Sequence, residues 1–396
     1  MVDISKVKNI TVVGAGVMGN GIAQVALMAG FNVILVDVKE NIVNNGIAKI
    51  KEGLKKVQIK GKLGEGISIS NIMSRCRKSI DLSSAVKESD FVFEAVVEKL
   101  DIKKQVCDLV MENSPPHCIF ASNTSTFRIT DIAEDSNKPE NVIGMHFFLP
   151  VVLQCCVEVM KGEKTTDKAL DIGVEIGKRL PCLKGKRLSV RIEKESPGFI
   201  ANRLLTPPII YLNWIFDLAL EKGIPWEQID ADAEARKLTP MGPCELTDYL
   251  GVDTTYNALK SYEKIFSSDF APGKVLTNLV VEGNLGRITG RGFYDWTAGK
   301  PEIFLNKKAG ILNPEITMAI MLNEGCKLLE EKIVSGYKII DDVMLTGTSM
   351  PGPFGPGKRN YIKWSKMLED FVELSDKKYL KPCELMKSGG FINMRK

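Results

Sequence analysis

Histidine is scarce in this chain of 396 residues, which has only His117 and His146, and its nine cysteines form no C-x-x-C pair. Without that spacing, neither a redox dithiol motif nor a metal site is expected. Basic and acidic residues nearly balance, at 53 and 49, so the charge does not predict a nucleic-acid-binding protein. The closest approach to a membrane-spanning run, 204–220, is interrupted by prolines and polar residues, and it predicts a buried helix instead.

The cysteine count is odd, and the first residues lack the layout of a secretory signal peptide. We therefore expect a cytoplasmic protein whose thiols are reduced and mostly buried. The neighbours Cys155 and Cys156 suggest a redox pair, but adjacent residues of a strand point to opposite faces of a sheet. We expect both to be ordinary thiols.

What the sequence does contain is a strand, glycine turn and helix near its start. An apolar strand pattern runs into Gly14, Gly16 and Gly19, and a helix pattern begins with Val17 and Met18. The first glycine allows a tight turn, the second lets the backbone approach a pyrophosphate, and the third lets the helix pack on the strand. The free N–H groups at the start of that helix favour bound phosphate. The pattern predicts a dinucleotide-binding turn.

An acidic residue follows the next strand pattern. Asp37 lies 21 residues after Gly16, where a carboxylate can accept hydrogen bonds from ribose hydroxyls. The same charge would repel a 2′-phosphate, although the nearby Lys39 weakens that exclusion slightly. A glycine-rich turn in another α/β protein is the alternative, but it leaves the ordered set of strands, helix and acid unexplained. We therefore predict NAD as the cofactor.

Strand and helix patterns alternate over the first part of the chain, as in βαβ units around a parallel sheet. From about residue 189 the pattern becomes almost entirely helical. We predict an α/β Rossmann-type domain over 1–192. The strand patterns cover 10–13, 31–36, 90–95, 119–121, 142–147 and 156–159, and helix patterns follow the glycine turn and cover 39–60 and 100–113.

The helical part repeats itself. Leu212-Asn213 matches Leu322-Asn323 at an offset of 110 residues, and Gly242-Pro243 matches Gly352-Pro353 at the same offset. Chance similarity between amphipathic helices is the alternative, but it does not explain glycines and prolines at a constant register. We predict two copies of one helical domain, over 193–297 and 298–396, which are too few for a solenoid.

His146 is the candidate general base, since an imidazole titrates near neutral pH. It lies at the end of a strand pattern, and ligands of parallel sheets collect at the carboxyl ends of strands. A lone histidine at a strand end is more often structural, so its position alone gives modest support. Glu158 follows twelve residues later, where a carboxylate can fix the imidazole tautomer. His117 follows two prolines in a polar loop, and we expect it at the surface.

The blocks Met145-His146-Phe147-Phe148 and Val157-Glu158-Val159 resemble the H-F-F-N-P and V-E-V blocks of the 3-hydroxyacyl-CoA dehydrogenase family. The resemblance runs in order over about 1–297, and the tail resembles the second helical copy of the larger multifunctional members. It implies a Rossmann-type α/β domain and then tandem all-α domains like the C-terminal domain of 6-phosphogluconate dehydrogenase, without an enoyl-CoA hydratase domain. Further matching blocks are Gly14–Gly19, Glu94–Glu98, Ser122–Ser125, Pro197–Leu204, Met241–Leu246 and Gly290–Tyr294.

The resemblance assigns roles to the matching residues. His146 would take the proton of the substrate C3 hydroxyl as hydride passes from C3 to the nicotinamide, and Glu158 would orient it. Ser125 and Asn202 would donate hydrogen bonds to the substrate oxygen, where charge develops. Ser125 would also contact NAD.

Further ligand contacts are implied away from the reacting atoms. Val97, Glu98 and Lys103 match residues on the NAD side, although a solvated charge pair at a helix start also explains the last two. Lys60 matches a lysine that contacts CoA, within a basic helix stripe that would otherwise be a solvated face. Tyr361 matches a substrate-side tyrosine of the multifunctional members.

One departure from the family concerns the residue after Phe148. The family has asparagine where this chain has Leu149, and leucine can make no hydrogen bond at the nicotinamide end of the cofactor. Losing one positioning hydrogen bond costs on the order of 1–3 kcal/mol if a buried partner is left unpaired. The departure indicates a weakened site or a pocket reshaped for another acyl group.

We predict an NAD-dependent (S)-3-hydroxyacyl-CoA dehydrogenase of fatty-acid or short-chain acyl-CoA metabolism. Two alternatives stay open: a dehydrogenase of a non-CoA hydroxy acid, and a catalytically weakened structural or regulatory paralogue that binds NAD. The intact set of Ser125, His146, Glu158 and Asn202 argues against the second. In single-copy members the helical domain dimerises. We expect the second copy to take the partner's place, which predicts a monomer or a homodimer through another face, with a separate enoyl-CoA hydratase as a candidate partner.

Overall fold

The computed structural model describes residues 4–64, 66–234 and 241–396. The chain falls into two compact units. The first contains residues 1–201 together with two later segments, 332–334 and 342–349. The second contains residues 202–331, 335–341 and 350–396. The chain therefore returns to its first unit twice, at residues 332–334 and 342–349, between segments of the second unit.

One sheet organises the first unit, and within the described residues it has eight strands in the order β3-β2-β1-β4-β5-β6-β7-β8. Neighbouring strands are parallel except β6 and β7, which pair antiparallel. The parallel part and its order are those of a Rossmann-type sheet. The strands are β1 Asn9–Val13, β2 Asn32–Val36, β3 Cys76–Ser79, β4 Phe91–Glu94, β5 Ile119–Ser122, β6 Val142–Phe147, β7 Cys156–Lys161 and β8 Leu188–Ile192.

Helices cover the sheet and bury its apolar side chains. The core brings strand residues such as Val12, Leu35 and Phe93 against Ala23 and Leu54 of the first two helices. Because strands of a parallel sheet are buried on both faces, they appear in the sequence as continuous apolar runs. The helices of this region are α1 Val17–Met28, α2 Glu40–Ile59, α3 Ile69–Met73, α4 Leu82–Ala85, α5 Leu100–Asn113, α6 Ile129–Ile132 and α7 Asp167–Arg179.

The predicted Rossmann-type domain is confirmed, with its six strand patterns and three helix patterns. The prediction of a wholly parallel sheet is wrong at β7. Only residues 148–155 separate β6 from β7, and a parallel crossover needs a dozen or more residues. Two further strands are not apparent in the sequence pattern. β3 is short and partly exposed, and β8 lies where the pattern was taken to become helical.

From residue 201 onward, the named secondary-structure elements of the described residues are all helices. A single π-helical turn, Met344–Thr348, follows α15, and short 3-10 turns cover Ser268–Phe270, Lys378–Leu380 and Gly390–Asn393. No helix among the described residues is long and apolar enough to cross a membrane. The helices are α8 Ala201–Leu205, α9 Pro208–Lys222, α10 Trp226–Glu234, α11 Pro243–Leu250, α12 Val252–Ile265, α13 Lys274–Val281, α14 Pro314–Glu330, α15 Tyr337–Val343, α16 Phe354–Ser375 and α17 Glu384–Ser388.

A disulfide joins Cys155 to Cys182, which corrects the prediction that all thiols are reduced. Cys155 directly precedes β7, and Cys182 lies in the loop before its parallel neighbour β8. Because parallel neighbours begin at the same edge of a sheet, these two residues lie side by side, with their Cα atoms 5.6 Å apart. The seven other cysteines are free, and five of them are buried, as expected.

Candidate active site

The glycine turn joins β1 to α1, and each glycine has a different reason to lack a side chain. Gly14 has a φ of +98°, and a Cβ there would lie 2.4 Å from the carbonyl oxygen of Ala95. A Cβ on Gly19 would lie 1.7 Å from the carbonyl oxygen of Gly14, because the helix starts directly against the strand end. A Cβ on Gly16 would meet no described atom within 4 Å. Gly16 therefore leaves open space at the start of α1, where a pyrophosphate would approach.

Asp37 follows β2 and holds this turn. Its Oδ2 accepts a hydrogen bond of 2.8 Å from the N–H of Ala15, and its Oδ1 accepts one of 2.8 Å from Val38. A carboxylate oxygen can accept more than one hydrogen bond, so the ribose contact predicted for Asp37 stays chemically possible. Val17 is exposed and Met18 is half-buried at the start of the helix. The sequence alone does not predict the hydrogen bond from the turn to Asp37, because that bond depends on where the fold places the N–H of Ala15.

Lys103 lies inside a buried charge cluster. Its side chain is 1% exposed, and Nζ lies 2.8 Å from Oε1 of Glu94 and 3.1 Å from Oε2 of Glu98. Glu94 also accepts a hydrogen bond of 2.5 Å from the hydroxyl of Ser122. The alternative of a solvated charge pair is therefore wrong for Lys103. Its buried ammonium faces two carboxylates, so an influence on a cofactor would pass through Glu98.

Glu98 ties this cluster to the loop after β5. Its Oε1 accepts hydrogen bonds from the Thr124 hydroxyl at 2.6 Å and from the N–H of Ser125 at 2.9 Å. Burial alone would raise the pKa of Glu98, but the charge of Lys103 and these hydrogen bonds outweigh it and hold that pKa below its usual value. The ionised carboxylate thus fixes the backbone that carries the half-buried Ser125. Glu94 and Thr124 were not among the predicted site residues.

The antiparallel pairing of β6 and β7 places His146 directly opposite Glu158. Nδ1 of His146 lies 2.7 Å from Oε2 of Glu158, and the carboxylate is fully buried. The other oxygen, Oε1, accepts hydrogen bonds from the N–H groups of Ile200 at 2.9 Å and Ala201 at 3.0 Å. A carboxylate on Nδ1 fixes the proton there, which leaves Nε2 as the nitrogen that can accept another.

Two aromatic rings contact the imidazole. The ring centroid of His146 lies 4.9 Å from that of Phe148 and 5.1 Å from that of Phe199. The N–H of Phe147 donates to Oδ1 of Asn123 at 3.0 Å, which joins the end of β6 to the loop after β5. The side chains of Phe148 and Asn123 were not predicted as site residues, although both belong to blocks that resemble the family.

The remaining predicted residues differ in exposure. Leu149 is 53% exposed, so its side chain is not part of the core, and Val97 is also exposed. Lys60 is exposed at the end of α2. Asn202 is the first residue of the second unit and is half-buried in α8. His117 is exposed as predicted, with Nε2 2.9 Å from Asp90.

Tyr361 lies on α16 in the second unit and packs against Gly389 and Phe391 of the same unit. It is half-buried in that setting. In the part of the chain that the structure describes, no group of three or more histidine, cysteine, aspartate or glutamate side chains could hold a metal ion.

Comparison with known proteins confirms the resemblance. Residues 9–187 match the family model of the 3-hydroxyacyl-CoA dehydrogenase NAD binding domain, and residues 198–296 match that of its C-terminal domain. The mitochondrial hydroxyacyl-coenzyme A dehydrogenase of Sus scrofa is 38% identical over 299 residues, which are 73% of this chain and 91% of that protein.

Two longer matches extend over the helical tail. The fatty acid oxidation complex subunit alpha of Psychrobacter cryohalolentis is 32% identical over 387 residues, which are 92% of this chain and 52% of that protein. The solved structure of 3-hydroxybutyryl-CoA dehydrogenase from Escherichia coli K12 is 25% identical, with a TM-score of 0.83 over 98% of this chain and 99% of that one. The chain belongs to the 3-hydroxyacyl-CoA dehydrogenase family, whose members are NAD-dependent enzymes.

Proposed function

We propose that this protein oxidises (S)-3-hydroxyacyl-CoA to 3-oxoacyl-CoA with NAD, or catalyses the reverse reduction. The observation that carries this proposal is the buried His146–Glu158 pair, because its bonding at Nδ1 prepares Nε2 to act as a base. The open space at Gly16 and the carboxylate of Asp37 fit the pyrophosphate and ribose of NAD. When bound, NAD supplies the acceptor for the hydride that leaves C3.

His146 would take the proton of the C3 hydroxyl at Nε2, and Glu158 would stabilise the imidazolium that results. The two N–H groups of residues 200 and 201 hold that carboxylate in place while the proton moves. Ser125 and Asn202 would donate hydrogen bonds to the substrate oxygen. The position of Ser125 is supported by Glu98, whereas the role of Asn202 rests on the family resemblance alone.

The other ligand contacts are proposals of the same kind. Val97 and Glu98 would border NAD, with Lys103 acting through Glu98. Exposed Lys60 would meet a phosphate of CoA, and Tyr361 would lie on the substrate side. A cytoplasmic location and a separate enoyl-CoA hydratase partner stay predictions of the sequence.

The function is tested by following NADH oxidation with acetoacetyl-CoA. Wild type should turn over, and His146→Ala should lose activity by about 10²–10⁴, because in this direction His146 would donate the proton to the substrate oxygen as a general acid. His117→Ala is the matched control, since His117 is exposed and its Nε2 lies 2.9 Å from Asp90. Retained NADH binding without turnover of any acyl-CoA would reject the proposal.

Leu149 is the observation that favours the alternative of a non-CoA hydroxy acid, because its exposed apolar side chain replaces the family asparagine. Parallel assays with 3-hydroxybutyryl-CoA and free 3-hydroxybutyrate distinguish the two. A higher kcat/KM for the free acid would favour the alternative. If Leu149→Asn raises kcat on the CoA ester, this position limits an intact dehydrogenase.

We also propose three domains, 1–192, 193–297 and 298–396, of which the last two are copies. Support comes from an asparagine in each long helix. Nδ2 of Asn213 donates to the carbonyl of Ala271 at 3.1 Å, and Nδ2 of Asn323 donates to that of Lys381 at 3.0 Å. The two donors are 110 residues apart in the sequence, and so are the two acceptors. The 3-10 turns 268–270 and 378–380 have the same offset. Near-complete overlap with the Escherichia coli structure also fits a two-copy tail.

A further inference from the structure

The loop 148–155 joins β6 to β7 and contacts two parts of the first unit that a dehydrogenase must align. At one end, the ring of Phe148 meets the imidazole of His146 edge-on, with centroids 4.9 Å apart. Further along, the buried side chain of Val151 packs on α1, where a Cβ on Gly21 would lie 3.0 Å from it. The position of this loop therefore affects both the imidazole and the helix that follows the glycine turn.

One side of the loop is fixed by the segment before β8. Arg187 is 3% exposed, and its guanidinium donates to the carbonyl oxygens of Val151 at 2.8 Å, Gln154 at 2.9 Å and Leu180 at 3.1 Å. The disulfide from Cys155 joins the same two segments. A buried guanidinium that loses such acceptors is costly, so this side of the loop is held firmly.

The other side is fixed by the turn 342–349, which the last part of the chain contributes to the first unit. The carbonyl oxygen of Thr346 accepts a hydrogen bond of 3.0 Å from the N–H of Cys155. The hydroxyl of Ser349 donates to Oε1 of Gln154 at 3.4 Å. The π-helical part of this turn, 344–348, is a rare conformation that occurs often at functional sites.

Gly347 lies at the point where this turn meets the aromatic cover of the histidine. A Cβ added there would lie 2.9 Å from both Cε2 and Cζ of Phe148, closer than side chains normally approach. The φ of Gly347 is not in the left-handed region, so its backbone does not itself require glycine. A side chain at this position would instead require the ring of Phe148 to move.

We propose that the turn 342–349 positions Phe148 against His146, and that Gly347 is a positioning residue for the general base. The inference rests on the proposed dehydrogenase function and adds a role for the tail of the chain. Gly347 touches no reacting atom. It acts by letting the ring of Phe148 lie against the imidazole, and catalysis is sensitive to small displacements of such groups.

The test is Gly347→Ala, assayed with NADH and acetoacetyl-CoA. We expect kcat to fall by about fivefold or more, since a displacement of about 1 Å can cost up to 10²-fold. KM for the acyl-CoA and the Kd of NADH should stay within about twofold, because the pyrophosphate turn and the CoA side are untouched. Gly355→Ala is the matched control. It lies on α16, and its Cβ would meet no described atom within 4 Å.

A double-mutant cycle with Phe148→Leu shows whether Gly347 acts through the ring. In the Phe148→Leu background, Gly347→Ala should change kcat by less than about twofold, because the atoms that it would strike are gone. The same loss of kcat in both backgrounds would overturn the proposal. So would a Gly347→Ala enzyme as active as Gly355→Ala.

Two further outcomes are decided by the same variants. If Gly347→Ala alone does not fold, the double variant should fold and match the activity of Phe148→Leu, and a double variant that also fails to fold overturns the proposal. An inactive wild type that binds NADH rejects the proposed function itself. An active wild type with unaltered Gly347→Ala rejects only the inference about the turn.

Discussion

Glu158 holds His146 through one carboxylate oxygen and the backbone of residues 200–201 through the other. The carboxylate therefore cannot rotate without breaking its hydrogen bonds to two buried backbone N–H groups. The tautomer of His146 is thus determined by backbone groups that act on it through Glu158.

Replacing Glu158 with glutamine tests this arrangement. The amide oxygen can keep the two backbone N–H groups, which turns the amide NH2 toward Nδ1 of His146. Since an NH2 only donates, the imidazole must then carry its proton on Nε2, where it can no longer accept the substrate proton. We expect kcat to fall by about 10²–10⁴ with NADH binding unchanged.

Steady-state kinetics and fluorescence titration with NADH measure these two quantities. The matched control is Glu195→Gln, a half-buried glutamate of the first unit, which accepts hydrogen bonds from Arg128 and Thr130 instead. A similar loss of kcat in both variants would contradict a specific role for Glu158.

Glu98 makes the stability of the fold depend on pH. Burial raises its pKa, but Lys103 and the hydrogen bonds of Thr124 and Ser125 hold it below 4.5, the value of an unperturbed glutamate. Because the folded pKa lies below the unfolded one, ionised Glu98 stabilises the fold above about pH 4.5, and this contribution is lost as pH falls through the folded pKa. Glu98→Gln should therefore lower the free energy of unfolding most near neutral pH.

Urea unfolding at two pH values checks this. The difference between wild type and Glu98→Gln should be clear at about pH 7 and should shrink below about pH 4.5. The exposed Glu302→Gln is the control, and it should show a small difference at both. A Glu98→Gln deficit that is equally large in acid would mean that lost packing, not lost charge, destabilises the variant.

The sequence predicts His146 and Glu158 because strand patterns give their positions and a family block gives their roles. It does not predict that Asp37 binds the N–H of Ala15, or that Lys103 is 1% exposed. Both facts depend on which backbone groups and carboxylates tertiary packing brings within reach. A pattern of charged residues at a helix start is the same whether that start is buried or solvated.

Among the structural elements, the loops before β7 and β8 are joined in a way that the sequence pattern hides. The cysteines have no recognisable spacing, since Cys155 and Cys182 are 27 residues apart and meet only because their strands are parallel neighbours. The antiparallel β7 is hidden for a related reason. Its residues are as buried as those of a parallel strand, and only the shortness of the preceding loop reveals its direction.

Reduction of this disulfide should destabilise the first unit. A cross-link with this separation restricts the unfolded chain, which corresponds to about 3–4 kcal/mol in the chain-entropy model. Denaturant unfolding with and without a phosphine reductant should show a lower midpoint for the reduced protein. The double variant Cys155→Ser, Cys182→Ser should resemble the reduced wild type and should not respond to the reductant. An unaltered wild-type midpoint would show that the bond is absent in solution.

The two long helices α9 and α14 allow a comparison of equivalent positions. Asn323 uses both ends of its amide, since Nδ2 donates to Lys381 and Oδ1 accepts from the N–H of Cys383 at 2.8 Å. Asn213 donates to Ala271, but its buried Oδ1 has no hydrogen-bond partner among the described residues. Asn323→Ala should therefore cost more stability than Asn213→Ala, with the larger loss about 1–3 kcal/mol. Thermal unfolding measures the stability of both variants. Equal losses would contradict the expectation that Asn323, hydrogen-bonded at both ends of its amide, stabilises the fold more than Asn213, hydrogen-bonded at one.

At the scale of the whole molecule, the proposed copies contact each other within the second unit. Arg203 forms a two-point ion pair with Glu331, with distances of 3.1 and 2.9 Å. The hydroxyl of Tyr211 accepts a hydrogen bond of 2.8 Å from the N–H of Asn313. Asp232 accepts three more hydrogen bonds, from the N–H groups of residues 310, 311 and 312. Residues of α8, α9 and α10 are thus already in contact with the chain's own tail.

This intrachain pairing predicts that the first helical copies do not pair between chains. The ring of Phe371 meets Tyr211 at 5.0 Å and Trp214 at 5.4 Å, edge-on in both cases, and Phe371 is buried. Light scattering should give a mass near the 43.8 kDa of one chain, or a dimer that Phe371→Ala leaves intact. The substitution should still lower the free energy of unfolding by about 3–5 kcal/mol, because a large buried ring is removed.

The dependence of the thermal midpoint on protein concentration separates the two arrangements. A fold that is held together within one chain unfolds at a midpoint that does not change with concentration, whereas a fold completed by a second chain becomes more stable as concentration rises. We expect the first behaviour for wild type and Phe371→Ala alike. A dimer that Phe371→Ala dissociates, with a midpoint that rises with concentration, would place this face between subunits and reject the idea that the second copy replaces a partner.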